Sequence, residues 1–261
     1  MKYSYYPGCT LKTKAQELEG FALRSAAALG FEMKEQAEWQ CCGAVYPMAD
    51  AEVGARLSAV RALAAAREAK EPLVTLCAAC HHVIKRVNYD MLSNEAVSQK
   101  ANDYLQLTTP YHGETRVLHY LEVLRDEIGF ERLAQAVKKP LTGRKIGAYY
   151  GCMLLRPSEV MQFDDPENPK ILEDFLRALG ATPIVYAARN ECCGAYTAVK
   201  DKDAALELSR SILRSAALGG AEELVTACPL CQYNLQKSNT GAKPMALHYF
   251  TALLAEALDV K

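Results

Sequence analysis

Ten cysteines stand in this 261-residue chain as one pattern written twice. Cys9, Cys41, Cys42, Cys77 and Cys80 form the first copy, and Cys152, Cys192, Cys193, Cys228 and Cys231 the second. Each reads C, then CCG, then CxxC, and no cysteine is left over. In both copies 34 residues separate the CC pair from the CxxC pair, whereas 31 or 39 separate the first cysteine from the CC pair. One internal distance is held and the other behaves as a loop. The flanking residues echo as well: Tyr5-Tyr6-Pro7-Gly8-Cys9 with Tyr149-Tyr150-Gly151-Cys152, Val74-Thr75-Leu76-Cys77 with Val225-Thr226-Ala227-Cys228, and Leu118-His119-Tyr120 with Leu247-His248-Tyr249. Self-similarity on this scale marks a duplication. A Pro-Leu-Thr-Gly break at Pro140 to Gly143 divides the chain into halves 1–140 and 141–261.

Within each half, short apolar runs alternate with helical patterns, which predicts an α/β fold of parallel units. Expected strands are Tyr3 to Tyr6, Leu73 to Leu76, Ile146 to Tyr150, Ile184 to Ala187 and Leu224 to Ala227. Helices are expected over Glu17 to Leu29, Asp50 to Lys70 from an Asp50 cap, from Ala78 onward, Pro169 to Leu179, Asp201 to Leu218 and His248 to Leu258. Cys9, Cys77, Cys152 and Cys228 each follow a strand, and open α/β sheets bind ligands beyond the carboxyl ends of their strands. The distant thiols of each copy are therefore expected to converge. Each CxxC falls at a helix N-terminus, where free backbone N–H groups favour thiolate over thiol. The copies differ in a polar helical segment, Asn94 to Leu107, and in a loop after Cys152, Met153 to Lys170, which contains Phe163-Asp164-Asp165-Pro166-Glu167-Asn168-Pro169. That loop reads either as a specificity element or as an ordinary surface turn.

Composition narrows the chemistry. Half of the residues are apolar, and 30 Lys and Arg balance 31 Asp and Glu, so no field of one sign draws nucleic acid or a membrane surface. The opening MKYSYYPGCT has no basic segment leading into an apolar run, and no window nears the roughly 18 apolar residues of a bilayer span. A cytoplasmic protein is expected, and there disulfides rarely persist. A structural zinc ion takes four ligands, whereas each copy offers five thiols, two of them adjacent. Adjacent thiolates suit a polynuclear centre in which they meet different metals, and Gly43 and Gly194 would let the backbone take positive φ beside it. Paired zinc sites in a scaffold without chemistry are the alternative of another class. No GxGxxG follows a strand and no Walker loop occurs, so neither flavin nor nicotinamide is expected on this chain.

The doubled C…CCG…CxxC pattern, the Tyr-Tyr-Gly-Cys152 strand end and the Phe163 to Pro169 loop resemble the cysteine-rich CCG-domain proteins, most closely the B-subunit family of heterodisulfide reductase. The resemblance implies two duplicated Rossmann-like CCG domains related by pseudo-two-fold symmetry. It implies two non-cubane [4Fe–4S] clusters, one held by Cys9, Cys41, Cys42, Cys77 and Cys80, the other by Cys152, Cys192, Cys193, Cys228 and Cys231. The clusters would face each other across a small disulfide, such as coenzyme M–coenzyme B heterodisulfide, and reduce it to two thiols. A C-like iron–sulfur subunit and an A-like flavin subunit in a hetero-oligomer would supply the electrons. The 34-residue spacing is one or two residues short of that family's, which bears on subfamily and substrate. The rival reading is an electron-transfer CCG subunit of another oxidoreductase, of the lactate, glycolate, glycerol-3-phosphate or succinate type.

His119 and His248, at the starts of matching helices, are candidate proton donors by their repetition, with a capping role as the alternative; His81 and His82 follow Cys80. Lys85, Arg86, Arg156, Arg189 and Lys237 are candidates for meeting an anionic substrate, or are solvated surface charges.

Overall fold

A computed structural model describes residues 1–44, 53–240 and 244–260. The first half runs β1 (Lys2–Tyr6), α1 (Cys9–Thr13), α2 (Gln16–Leu29), β2 (Glu32–Glu35), α3 (Leu57–Ala69), β3 (Leu73–Thr75), α4 (Ala78–Ser93), α5 (Glu95–Leu105) and β4 (Val117–His119). It closes with α6 (Tyr120–Glu122), which continues as a π-helical turn over Val123–Ile128, and α7 (Phe130–Ala136). The second half repeats the plan as β5 (Lys145–Tyr149), α8 (Ser158–Met161), α9 (Ile171–Ala178), β6 (Thr182–Ile184), α10 (Thr197–Lys200), α11 (Lys202–Leu218), β7 (Glu223–Thr226), α12 (Pro229–Ser238), β8 (Ala246–Tyr249) and α13 (Phe250–Ala257).

Each half builds a four-stranded, all-parallel sheet, ordered β2-β1-β3-β4 and β6-β5-β7-β8. The two orders are the same order, as a duplicated Rossmann-like unit requires. The central strands carry near-continuous apolar residues because helices cover both faces: Tyr5, Tyr6, Leu73, Val74, Ile146 and Ala148 are all buried. The halves exchange their outer layer. Helix α13 of the second half packs on α2 of the first, and α6 and α7 of the first pack on α9 of the second. Thr251 Oγ1 donates to the Leu18 carbonyl (2.8 Å) and Arg24 Nε to the Val260 carbonyl (2.7 Å) across this joint. Phe250, at the start of α13, lies 5.1–6.2 Å from the rings of Tyr249, His119, Tyr120 and Phe175, so residues of both halves share one aromatic centre.

Several expected boundaries move. The cap expected at Asp50 lies outside the described residues, and the helix itself starts at Leu57 after a 3₁₀ turn at Gly54–Arg56. The strand expected over Ile184 to Ala187 is Thr182–Ile184; it is a half-exposed edge strand that tolerates Pro183, and Ala187 already opens a 3₁₀ turn. The segment from His248 does not begin a helix: His248 is inside β8, and α13 begins at Phe250. His119 likewise ends β4. The Asn94 to Leu107 segment is helical, with Asn94 Oδ1 accepting from the Val97 N–H at 3.1 Å as the cap.

Candidate iron–sulfur site

The carboxyl ends of the two sheets meet head-on. Cys77 caps α4 directly after β3 and Cys228 caps α12 directly after β7. Next to them the Ala78 N–H donates to the Ala227 carbonyl at 3.0 Å, joining the halves. That bond sets Cys77 beside Cys228, and the two thiol sets face each other there. Within the first set Cys41 lies 3.6 Å from Cys9 and Cys42 lies 3.5 Å from Cys80, Sγ to Sγ. Within the second, Cys193 lies 3.4 Å from Cys231. All five second-half thiols line one small cavity, with Ala78 of the first half and Leu230 and Tyr196 of the second on its walls. The convergence expected from sequence thus holds for both copies.

The electrostatics follow from these contacts. Cys192, which neighbours Cys152 and accepts from the Gly194 N–H at 3.3 Å, is drawn down to about 6, while Cys152 is pushed up by its Cys192 neighbour and by burial. Cys228 is held well below the usual thiol range by Cys231 and Cys77, with help from the backbone N–H groups at the start of α12. The lowered thiol expected at a helix start is found at Cys228, whereas Cys77 is pushed up by its Cys228 neighbour and by burial. Cys42 is lowered by Cys80.

The residues fit a polynuclear sulfur-ligated centre. The donor set consists of soft thiols alone, five in each half. Both CCG glycines take positive φ, 78° at Gly43 and 79° at Gly194. The glycines before the first cysteines back directly onto thiols. A Cβ on Gly151 would come to 3.3 Å of Cys231 Sγ, and one on Gly8 to 2.6 Å of Cys80 Sγ. Gly8 has φ 74° and ψ 158°, a region that costs any other residue on the order of 1–3 kcal/mol. Gly8→Ala is expected to lower stability by that amount and to displace Cys80, so that metal is lost from the first half while the second keeps its share. Metal content and denaturant midpoint read the two effects separately.

The histidines are placed differently from expectation. Thr75 pairs with His119, but the corresponding Thr226 pairs with Tyr249, so Tyr249 rather than His248 is the counterpart of His119. The repeated Leu-His-Tyr is out of step by one residue in space, and in a strand one residue reverses the side chain. His248 turns away to Glu223 (Nε2 to Oε2, 2.6 Å) and Arg144. His119, fully buried, donates from Nε2 to the Leu76 carbonyl (2.9 Å) and accepts at Nδ1 from the Leu121 N–H, while Glu122 accepts from the His119 N–H. It is a helix cap with both ring nitrogens engaged. Tyr249 donates to the Leu76 carbonyl at 2.6 Å and reaches Ala227 at 3.2 Å, holding both cysteine-bearing strand ends.

Burial depresses His119 to about 4. Between its unfolded value near 6.5 and about 4, the unfolded chain takes up a proton that the folded chain refuses, so stability falls as pH falls, by about 3 kcal/mol in all. Urea titrations at pH 7 and 4.5 should show a larger loss in the parent than in His119→Gln, which keeps the loss due to buried His81 but not that due to residue 119.

Of the candidate anion contacts, Lys85 pairs with Glu122, Arg156 with Glu167 and buried Arg189 with Glu173. Lys237 lies over the Tyr233 ring. The loop after Cys152 is neither open nor a bare turn: Leu154, Leu155, Met161 and Phe163 are buried, and Asp164 and Asp165 accept backbone N–H groups that lock its bend. Sequence reasoning missed Tyr196, which directly follows the second CCGA, lines the thiol cavity and donates to the Ala44 carbonyl of the first CCG segment. Its position one residue past a motif was the available signal.

Two Rossmann-like units presenting facing thiol sets define a class of duplicated cysteine-rich α/β protein. The family model for the cysteine-rich CCG domain matches residues 3–85 and 146–236, and the chain belongs to that family, together with the B subunits of heterodisulfide reductase. It is 30% identical, over 94% of its length and 85% of the relative's, to the 8-methylmenaquinol:fumarate reductase membrane anchor subunit of Wolinella succinogenes. It is 31% identical to a protein of Archaeoglobus profundus that is itself named as like the B subunit of heterodisulfide reductase, over 74% of this chain and 66% of that one. It is 25% identical to the B subunit of a ferredoxin:CoB-CoM heterodisulfide reductase of Methanosarcina mazei, over 98% and 89%. A crystal structure of a hypothetical protein from Helicobacter pylori shares the fold, with a TM-score of 0.77 at 12% identity; this chain spans 49% of it. Among the described residues no helix is long and apolar enough to cross a membrane.

Proposed function

We propose that the chain is the B subunit of a cytoplasmic heterodisulfide-reductase-type complex, in which domains 1–140 and 141–261 each hold a non-cubane [4Fe–4S] cluster through their five cysteines. The reaction is R–S–S–R′ + 2e⁻ + 2H⁺ → RSH + R′SH, on the coenzyme M–coenzyme B heterodisulfide or a related sulfur compound. The observation that carries this reading is the bond from the Ala78 N–H to the Ala227 carbonyl (3.0 Å), which joins the residues next to Cys77 and Cys228 and sets two five-thiol groups against each other across one interface. A relay has no use for two facing sites, whereas one S–S bond that breaks between them can give one sulfur to each. When bound, the clusters would supply electrons one at a time and an iron for each departing sulfur.

The chain's own contribution is positional. Tyr249 and His119 fix the strand end that carries Cys77, Tyr196 ties the two CCG segments together, and Leu230 and Ala78 keep the inner wall apolar and dry. His119 is given the role of holding this strand end, not of delivering protons. Electrons would come from a C-like iron–sulfur subunit and an A-like flavin subunit. The test is anaerobic purification, with iron, sulfide and zinc assays and electron paramagnetic resonance with and without a thiol. About eight irons and a thiol-dependent signal support the reading; zinc without iron overturns it. The relationship to the menaquinol:fumarate reductase subunit over 94% of the chain favours one second reading, an electron relay that exchanges electrons with a quinol and breaks no disulfide, and iron without a thiol response would select it.

A further inference from the structure

The pseudo-two-fold axis relates two clefts, and the chain fills only one of them. On one side the segment after Cys152 lies against α4: α8 packs on that helix, and His82 Nδ1 meets the Met153 carbonyl at 3.1 Å. Leu154, Leu155 and Met161 are wholly buried there. On the other side the segment after Cys9 stands away from α12 and leaves a cleft of about 490 Å³ between Thr10, Lys14 and Leu18 on one wall and Leu230, Tyr233 and Gln236 on the other. Tyr233 is the counterpart of His82, two residues past its CxxC cysteine, but it is 58% exposed and meets no opposing carbonyl.

The open cleft adjoins both thiol sets, although no cysteine lines it. Leu230 is common to its wall and to the wall of the second thiol cavity, and Thr10 adjoins exposed Cys9, its Oγ1 4.0 Å from the Sγ. Its volume lies within the range of roughly 300–1,000 Å³ that small-molecule sites occupy. Leu18, Leu230 and the Tyr233 ring supply apolar surface; the charged residues of the lining are exposed Glu17 and exposed Lys14, which has no carboxylate partner among the described residues.

The geometry points to this cleft, between the α1–α2 segment and α12, as the binding route of the organic sulfur substrate, its apolar stem along Leu18 and Leu230 and an anionic end at Lys14. The inference rests on the disulfide-reducing reading, and it assigns the side of entry and the residues that line it.

The test uses the anaerobically purified, cluster-loaded chain and follows the resonance signal during titration with mercaptoacetate, which is anionic, and with 2-mercaptoethanol, which is neutral. Leu18→Trp and Gln236→Trp, both away from the thiols, should retain full iron and need at least about tenfold more of either thiol for half-response. Lys14→Glu should weaken mercaptoacetate about fivefold and leave 2-mercaptoethanol unchanged. Gln99→Trp, in a surface groove beside α5, should match the parent. Unchanged titrations in both tryptophan variants, with a responsive parent, overturn the cleft and leave the disulfide reading standing. An unresponsive parent overturns the disulfide reading, and the cleft then loses its ligand.

Discussion

Replacing Cys193 with alanine is expected to remove about half of the iron and to bring disulfide reduction to background, with the other half of the iron retained. Cys193 is 3% exposed, with its Sγ 3.4 Å from Cys231 Sγ. Its backbone is held independently of the thiol, since the carbonyl accepts from Ser209 Oγ (2.9 Å) and from Asn234 Nδ2 (3.3 Å). The truncation therefore deletes a soft donor and leaves the loop in place. The first set is built on other elements, and its contacts Cys41–Cys9 and Cys42–Cys80 do not involve residue 193. Cys42→Ala should give the mirror result, with iron lost from the first half. Full turnover in either variant would show that one thiol set suffices, and would end the argument from two facing sites. Iron assay, resonance spectrum and single-turnover disulfide reduction on the same preparation separate ligand loss from general unfolding.

Phe250→Ala is expected to cost about 3–5 kcal/mol, the range for truncating a fully buried aromatic ring. For a chain of this size that lowers the melting temperature by roughly 10 °C. The ring is wholly buried and packs against His119, Tyr120, Phe175 and Tyr249, two of them from each half. Because both halves lose contacts at once, the transition should stay single and move as a whole. Two separated transitions, or a cost under about 1 kcal/mol, would mean that the aromatic centre does not join the halves. The same variant should retain its thiol contacts at low temperature, because those contacts run from cysteine to cysteine and do not pass through the ring.

The doubled cysteine spacing made the duplication legible, and the apolar runs ending at Cys9, Cys77, Cys152 and Cys228 placed the thiols at strand ends. What escaped was physically quieter. Strand β2 buries only Met33, so its sequence Glu-Met-Lys-Glu carries no strand signal, and the edge strand β6 contains a proline. The one-residue offset between His119 and His248 cannot be read from a matching tripeptide, because only the pairing partner reveals which face a side chain takes. The Met153 to Lys170 loop looked polar because its Asp, Glu and Asn residues form the bend, while the four buried apolar side chains that seat it are scattered through the same segment. Cross-half contacts such as Tyr196 with Ala44 have no local signature at all.

The exchange of outer helices bears on how the two sites stay together. In a pair of separate chains, contact between two thiol sets would depend on concentration and would be lost on dilution. Here α13 reaches α2, and α7 reaches α9, within one polypeptide joined by the short connection between α7 and β5. Each half therefore meets its counterpart at an effective concentration in the millimolar range or above, whatever the amount of protein in solution. The spacing between Cys77 and Cys228 is thereby set by chain connectivity, and a scarce protein keeps the same paired geometry as an abundant one.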